Sequence, residues 1–153
     1  MRLKKSVLTT FSLSVIALAS VSAADDLKFG VRTGFYTGVG DPFIGAEVLV
    51  PITRSIYFNP NFEYVFDEDV HYFTTNADFH YDFFRQGNMY VWAGAGLALA
   101  TKNPEGPVEG DTDPGLNILA GIGFNRGPLI PYFHFKVIAK EDAEAAFAFG
   151  LRF

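Results

Sequence analysis

A chain of 153 residues with a formal charge of −5 and no cysteine is read as one domain that relies neither on disulfides nor on a basic nucleic-acid-binding face. Seventeen Phe, seven Tyr and fifteen Gly, with no long apolar run beyond the first 23 residues, favour an all-β protein.

The first 23 residues, MRLKKSVLTTFSLSVIALASVSA, carry a basic start (Arg2, Lys4, Lys5), an apolar stretch from Val7 to Ala19, and a small-residue end at Val21-Ser22-Ala23. This is the pattern of a secretory signal peptide, and the stretch is short for a membrane helix. The expected domains are therefore a signal peptide over 1–23 and one β-domain over 24–153. The signal holds three of the twelve basic residues and no acidic one, so the remainder has nine against seventeen, a formal charge of −8.

Eight strands follow at even spacing: roughly Leu27–Thr37, Phe43–Pro51, Ile56–Phe66, Val70–Phe83, Met89–Ala100, Leu116–Phe124, Leu129–Ile138 and Ala143–Phe153. No segment of the mature chain shows sustained helical periodicity with caps. Three connectors are short and each contains an arginine: Thr53-Arg54-Ser55, Phe84–Asn88 and Asn125-Arg126-Gly127. The other four (Gly38–Asp41, Asp67–Asp69, Thr101–Asp113 and Ala139–Asp142) are acidic on balance, and one is long. An even strand count places both termini at the short-turn end, as in an outer-membrane barrel.

The strands alternate with a period of two. In the third, Phe58, Pro60, Phe62, Tyr64 and Phe66 oppose Tyr57, Asn59, Asn61 and Glu63. In the fourth, Phe73, Thr75, Ala77, Phe79, Tyr81 and Phe83 oppose Thr74, Asn76, Asp78, His80 and Asp82. The first and seventh strands repeat the pattern, with Lys28 and Arg32 on one polar face and His134 and Lys136 on the other. Each strand is thus half in an apolar medium. A soluble sandwich would turn the Phe faces inward; a membrane barrel turns them to lipid. The bulk of the Phe faces favours the second, because so small a chain has little core to hold them. Aromatics also gather near strand ends, suggesting interfacial girdles: Phe35, Tyr36, Phe43, Phe66, Tyr72 and Phe73 at one level, and Phe58, Phe83, Tyr90 and Phe153 at the other.

The closing segment, AFAFGLRF, puts Phe147, Phe149, Leu151 and Phe153 on one face and Ala146, Ala148, Gly150 and Arg152 on the other. A last strand with a terminal aromatic resembles the signal read by the outer-membrane barrel assembly machinery, which implies that Phe149, Leu151 and Phe153 carry assembly. With the signal peptide, strand count, short turns and face pattern, residues 24–153 resemble the small eight-stranded outer-membrane barrels of the outer membrane protein A and X type. The resemblance implies a closed antiparallel up-and-down transmembrane barrel in the cell outer membrane. It also implies contact with lipid and lipopolysaccharide, and a monomer.

The inward faces then carry Lys28, Arg32, Lys136 and Arg152 against Glu47, Glu63, Asp78, Asp82 and Glu144. Buried charges are costly unless paired. A lumen network of Arg32, Glu47, Glu63, Asp78, His80, His134, Lys136 and Arg152 is expected, filling an interior that eight strands leave only wide enough for side chains. Gly94, Gly96, Gly121, Gly123 and Gly150 would make room for large side chains from the opposite wall, or line a ligand groove.

Enzymatic chemistry finds little support. Some outer-membrane barrels act on lipids with a serine and a histidine, but the mature chain has one serine, Ser55, in a short turn at the wrong level for the outer leaflet. His71, beside Asp67-Glu68-Asp69, is able in principle to activate water; an interfacial histidine next to a solvated acidic turn is the plainer reading. His80 and His134 lie on different strands without the spacing of metal ligands, and no cofactor is expected. Asp111-Thr-Asp113-Pro-Gly115 resembles the start of a calcium loop but lacks its third acidic position and its closing Glu. A solvated acidic loop over Thr101–Gly115 is the default. The function expected is a structural or surface-interaction role. The alternatives are a narrow low-conductance channel, a lipid A-modifying enzyme, or a soluble barrel with a lipophile inside.

Overall fold

The computed structural model describes residues 27–38, 40–104 and 109–153. The signal peptide expected over 1–23 lies outside the described residues. The strands are β1 (Lys28–Tyr36), β2 (Pro42–Pro51), β3 (Ile56–Phe66), β4 (Val70–Gln86), β5 (Met89–Pro104), β6 (Asp111–Phe124), β7 (Ile130–Ala139) and β8 (Glu144–Arg152). Each pairs antiparallel with its neighbours in sequence, and β1 closes on β8 from Gly30↔Arg152 to Tyr36↔Ala146. Phe153 completes the seam, exchanging backbone hydrogen bonds with Phe29 at 2.9 and 3.0 Å. Closure leaves no free edge along the barrel wall, the condition a strand structure must meet in lipid.

The turns follow from local chemistry. Gln86 pairs with Met89 across the two-residue turn Gly87-Asn88, and Gly87 takes a positive φ of 59°, which costs glycine little. Between β3 and β4, Asp67 Oδ1 accepts from the backbone N–H groups of Asp69 and Val70, an Asx turn.

Two hairpins are longer than the sequence suggests. β4 runs to Gln86, and a register shift between Asp82 and Phe84 leaves Phe83 as an extra residue in the ladder. At the other end of the barrel, β5 and β6 remain paired as far as Lys102↔Asp111. Much of the expected solvated loop over Thr101–Gly115 is therefore ladder. The segment reads as a loop because it is polar, but a strand that has risen past the apolar band no longer needs an apolar face. Thr101 and Thr112, hydroxyls 3.1 Å apart, form a cross-strand pair there.

Burial is inverted relative to a soluble protein. Phe29, Ile44, Phe79, Leu97, Ile118 and Phe133 are exposed on the outer face, Ile118 to 63%, while Lys136 and Arg152 inside are exposed to 1% or less. Outer-face aromatics pair across strands, Phe58 with Phe79 at 5.1 Å and Phe135 with Phe147 at 4.8 Å between ring centroids. The girdle expected at the strand ends is only partly present. Phe35, Phe66, Phe83 and Phe153 are exposed, whereas Tyr36, Phe43 and Tyr72 are buried in the lumen and Tyr90 turns inward to Arg152. Tyr36, Phe43 and Tyr72 share their alternation phase with polar inward neighbours, and Tyr90 shares its phase with Trp92 and the inward glycines of β5; phase overrides proximity to a strand end.

Candidate functional site: the charged lumen and its mouth

The lumen is built in layers by the inward phase of all eight strands. Under the long-turn end lies a cluster of Tyr36, Phe43, Val65, Tyr72, Ala98, Ala100 and Ile138. Tyr72 donates a hydrogen bond to Glu144, which Lys140 reaches at 3.2 Å and Lys102 at 3.5 Å. Lys102 and Lys140 also lie over the Tyr72 ring, at 4.7 and 5.8 Å respectively.

The charged layer sits below. Glu63 on β3 is its hub: Arg32 NH2 lies 2.6 Å from Oε1, and Lys136 Nζ lies 2.7 Å from Oε2. Tyr36 and Thr74 donate to the same carboxylate, Thr74 at 3.1 Å. Glu47 on β2 is the second hub, 2.6 Å from Arg152 Nε and 3.4 Å from Arg32 NH1. Arg32 thus bridges the two glutamates. The side chains of Arg32, Glu47, Glu63, Lys136 and Arg152 are at most 1% exposed.

Asp78 differs from the ion pairing expected for the lumen carboxylates. Its oxygens accept from Asn61 Nδ2 at 2.8 Å and Asn117 Nδ2 at 2.7 Å, and it makes no ion pair within 4 Å among the described residues. Asn76 bridges the amides, donating to Asn61 Oδ1 at 2.9 Å and accepting from Asn117 at 2.9 Å. This amide ladder is the part of the lumen that charge counting missed; the alternation on β3, β4 and β6 carries it.

The third layer is aromatic. His80 stacks on Trp92 with ring centroids 5.8 Å apart and 6.3 Å from His134. Arg152 lies between Trp92 and Tyr132, at 5.0 and 4.2 Å from their rings. The inward glycines serve neighbours in the sheet rather than the opposite wall. Trp92 covers its register partner Gly121, where a Cβ would fall 2.1 Å from the indole; Tyr90 covers Gly123, and Tyr132 covers Gly150. A paired strand is nearer than the far wall, so the large ring folds over the adjacent glycine.

At the short-turn end the lumen opens into a cavity of about 520 Å³, with Arg152 and His80 at its inner end and Lys28, Arg54, Asp82 and Arg85 around it. Lys28 is therefore a mouth residue, half-buried, rather than a member of the buried charged layer. Asp82 pairs with Arg85 at 2.6 Å.

The other candidates lie apart. Ser55 is in the β2–β3 turn at the short-turn end, while His71 lies at the opposite end on the outer face, where its Nδ1 is 3.0 Å from Tyr64 OH. Asp111 and Asp113 sit within β6, and no group of three or more His, Cys, Asp or Glu arranged to hold a metal occurs among the described residues. Phe149 and Leu151 belong to β8, where Leu151 pairs with both Val31 and Pro131.

No protein-family model matches the chain, and no curated protein resembles it significantly in sequence. Solved structures do resemble it. The N-terminal β-barrel domain of Pseudomonas aeruginosa OprF superposes with a TM-score of 0.72 at 18% identity, covering 83% of this chain and 95% of that one. Neisserial surface protein A gives 0.61 at 17% identity over 86% and 98% of the two chains. The outer membrane enzyme PagL gives 0.57 at 14% over 82% and 97%. The fold is that of the small eight-stranded outer-membrane barrels.

Proposed function

We propose that the chain is an integral outer-membrane barrel whose lumen is closed by the Glu63 and Glu47 networks and whose role is structural or surface-interacting rather than enzymatic. The observation that carries this is the inverted burial: large apolar side chains stand exposed around the wall while arginine, lysine and glutamate are sealed inside. Water outside would penalise that band; lipid removes the penalty. The resemblance in fold to outer-membrane barrels supports the same reading.

The ion pairs link β1 to β2 and β3, β8 to β2, and β7 to β3 across the lumen, so a solute passing along the axis must part Lys136 and Arg32 from Glu63. The barrel acts as a closed membrane anchor that presents its longer connections, including the β5–β6 hairpin, at the cell surface beside lipopolysaccharide. It is inserted by the barrel assembly machinery through the β8 signal and works as a monomer.

Envelope fractionation of a Gram-negative host producing the full chain tests this. Recovery with the outer membrane, with solubility only in detergent, is expected. Recovery as a soluble periplasmic protein would overturn it and assign the Phe faces to a lipophile-binding interior.

A further inference from the structure

The cavity at the short-turn mouth is electrostatically one-sided. Lys28, Arg54, Arg85 and Arg152 line it, and Asp82 is the one carboxylate among its lining residues. Glu47, 2.6 Å from Arg152 and outside the lining, offsets one further charge. Two positive charges are left over.

Two further observations point to a ligand. A terminal guanidinium nitrogen of Arg152 (NH2) and Nε2 of His80 are buried and have no hydrogen-bond partner among the described residues, although buried polar groups are nearly always satisfied. Both residues line the cavity. The bulge at Phe83 supplies the second. Upstream of it, even-numbered residues of β4 face inward; the extra residue reverses the phase, so that Arg85 reaches Asp82 at 2.6 Å and the hydroxyl of inward Tyr57 at 3.0 Å. Without the bulge Arg85 would follow Tyr81 and Phe83 to the outer face. Bulges at barrel rims re-aim side chains in this way.

We propose that this mouth binds a phosphate-bearing small molecule, with Arg152 and His80 reaching its phosphoryl oxygens from within and Arg85, Arg54 and Lys28 closing on it from the rim. Arginine forks match phosphate oxygens in pairs, and the surplus of two charges matches a phosphate monoester. The volume exceeds that of inorganic phosphate and leaves room for a small alcohol moiety against Tyr57 and Tyr90. The same monoester chemistry is offered by a free phosphate ester and by the headgroup of a phosphatidic acid.

The test is calorimetric titration of the refolded barrel in non-ionic detergent with inorganic phosphate, glycerol 1-phosphate, a short-chain phosphatidic acid below its micellar concentration, and acetate. Saturable binding of at least one phosphate compound, stronger than that of acetate, is expected. The double variant Arg54→Gln/Arg85→Gln should weaken it by about tenfold or more, while Lys102→Gln, at the opposite mouth, leaves it unchanged. Tighter binding of phosphatidic acid assigns a headgroup, and tighter binding of glycerol 1-phosphate a free ester; either supports the site. No binding, equal acetate binding, or equal loss in Lys102→Gln overturns it. The site needs only the folded barrel. A heat-dependent gel shift on the same sample therefore separates failure of the site from failure of the membrane-barrel reading.

Discussion

The guanidinium of Arg32 lies 2.6 Å from Glu63, and neither side chain is more than 1% exposed. Because Lys136 shares that carboxylate at 2.7 Å, Glu63 is the only negative charge available to Lys136 among the ion pairs of the described residues. Removing it takes from a buried cation its one ion-pair partner, which costs ~3–5 kcal/mol. Glu63→Gln should therefore lower the urea midpoint of the barrel refolded in lipid vesicles. Glu63→Gln/Lys136→Met, which removes the stranded cation as well, should recover part of that loss. Equal midpoints for wild type and Glu63→Gln would show that the pair carries little stability.

On the proposed reading the same network closes the lumen to ions. In planar bilayers the wild-type barrel should give no sustained single-channel openings. Arg32→Ala/Glu63→Ala, which removes the hub carboxylate, both of its ion pairs and the bulk of two side chains, should give discrete openings. Steady wild-type conductance would establish a narrow channel in place of the closed lumen.

Gly121 is fixed by its neighbour. A Cβ there would fall 2.1 Å from Trp92 Cζ2, against a ring packed on both His80 and Tyr90. Overpacking of this kind costs about 1–3 kcal/mol. Gly121→Ala should lower the unfolding midpoint and shift the emission of Trp92, the single tryptophan of the chain. An unchanged spectrum would mean that the indole does not rest on β6.

Phe153 has separable backbone and side-chain parts. Its N–H and C=O pair with Phe29, while its ring is exposed. Phe153→Ala keeps the backbone seam and removes the ring. Membrane insertion in cells should fall, while refolding of the purified chain into detergent stays near wild type. Equal insertion in cells would remove the ring from the proposed assembly signal.

The alternation made the faces legible. On β3, whose bounds Ile56–Phe66 were readable in full, charge and amide residues interleave with Phe so regularly that phase and boundary are both marked. Arg32, Glu47, Glu63, Lys136 and Arg152 follow from the same phase, since a charge on an alternating strand has only two sides to face. Their partners are less legible, because pairing depends on the axial level of each strand, which the register sets. Asp78 shows this: its level brings Asn61 and Asn117 rather than a cation. Tyr36, Phe43 and Tyr72 were obscured because an aromatic suits an interface and a lumen alike; their phase was the better guide. Arg85 was hidden by the bulge, which reverses the phase that reveals its neighbours.

The most direct measurement is spin-label accessibility at single cysteines, which a chain without native cysteine allows cleanly. Labels at Phe79, Leu97, Ile118 and Phe133 on the outer face, and at Ala148 inside, would be compared in lipid bilayers. High collision rates with oxygen and low rates with a polar nickel reagent are expected at the four outer sites, and low rates with both at Ala148. Polar-reagent access at the outer sites, with oxygen partitioning at Ala148, would contradict the lipid-facing assignment and turn the barrel inside out.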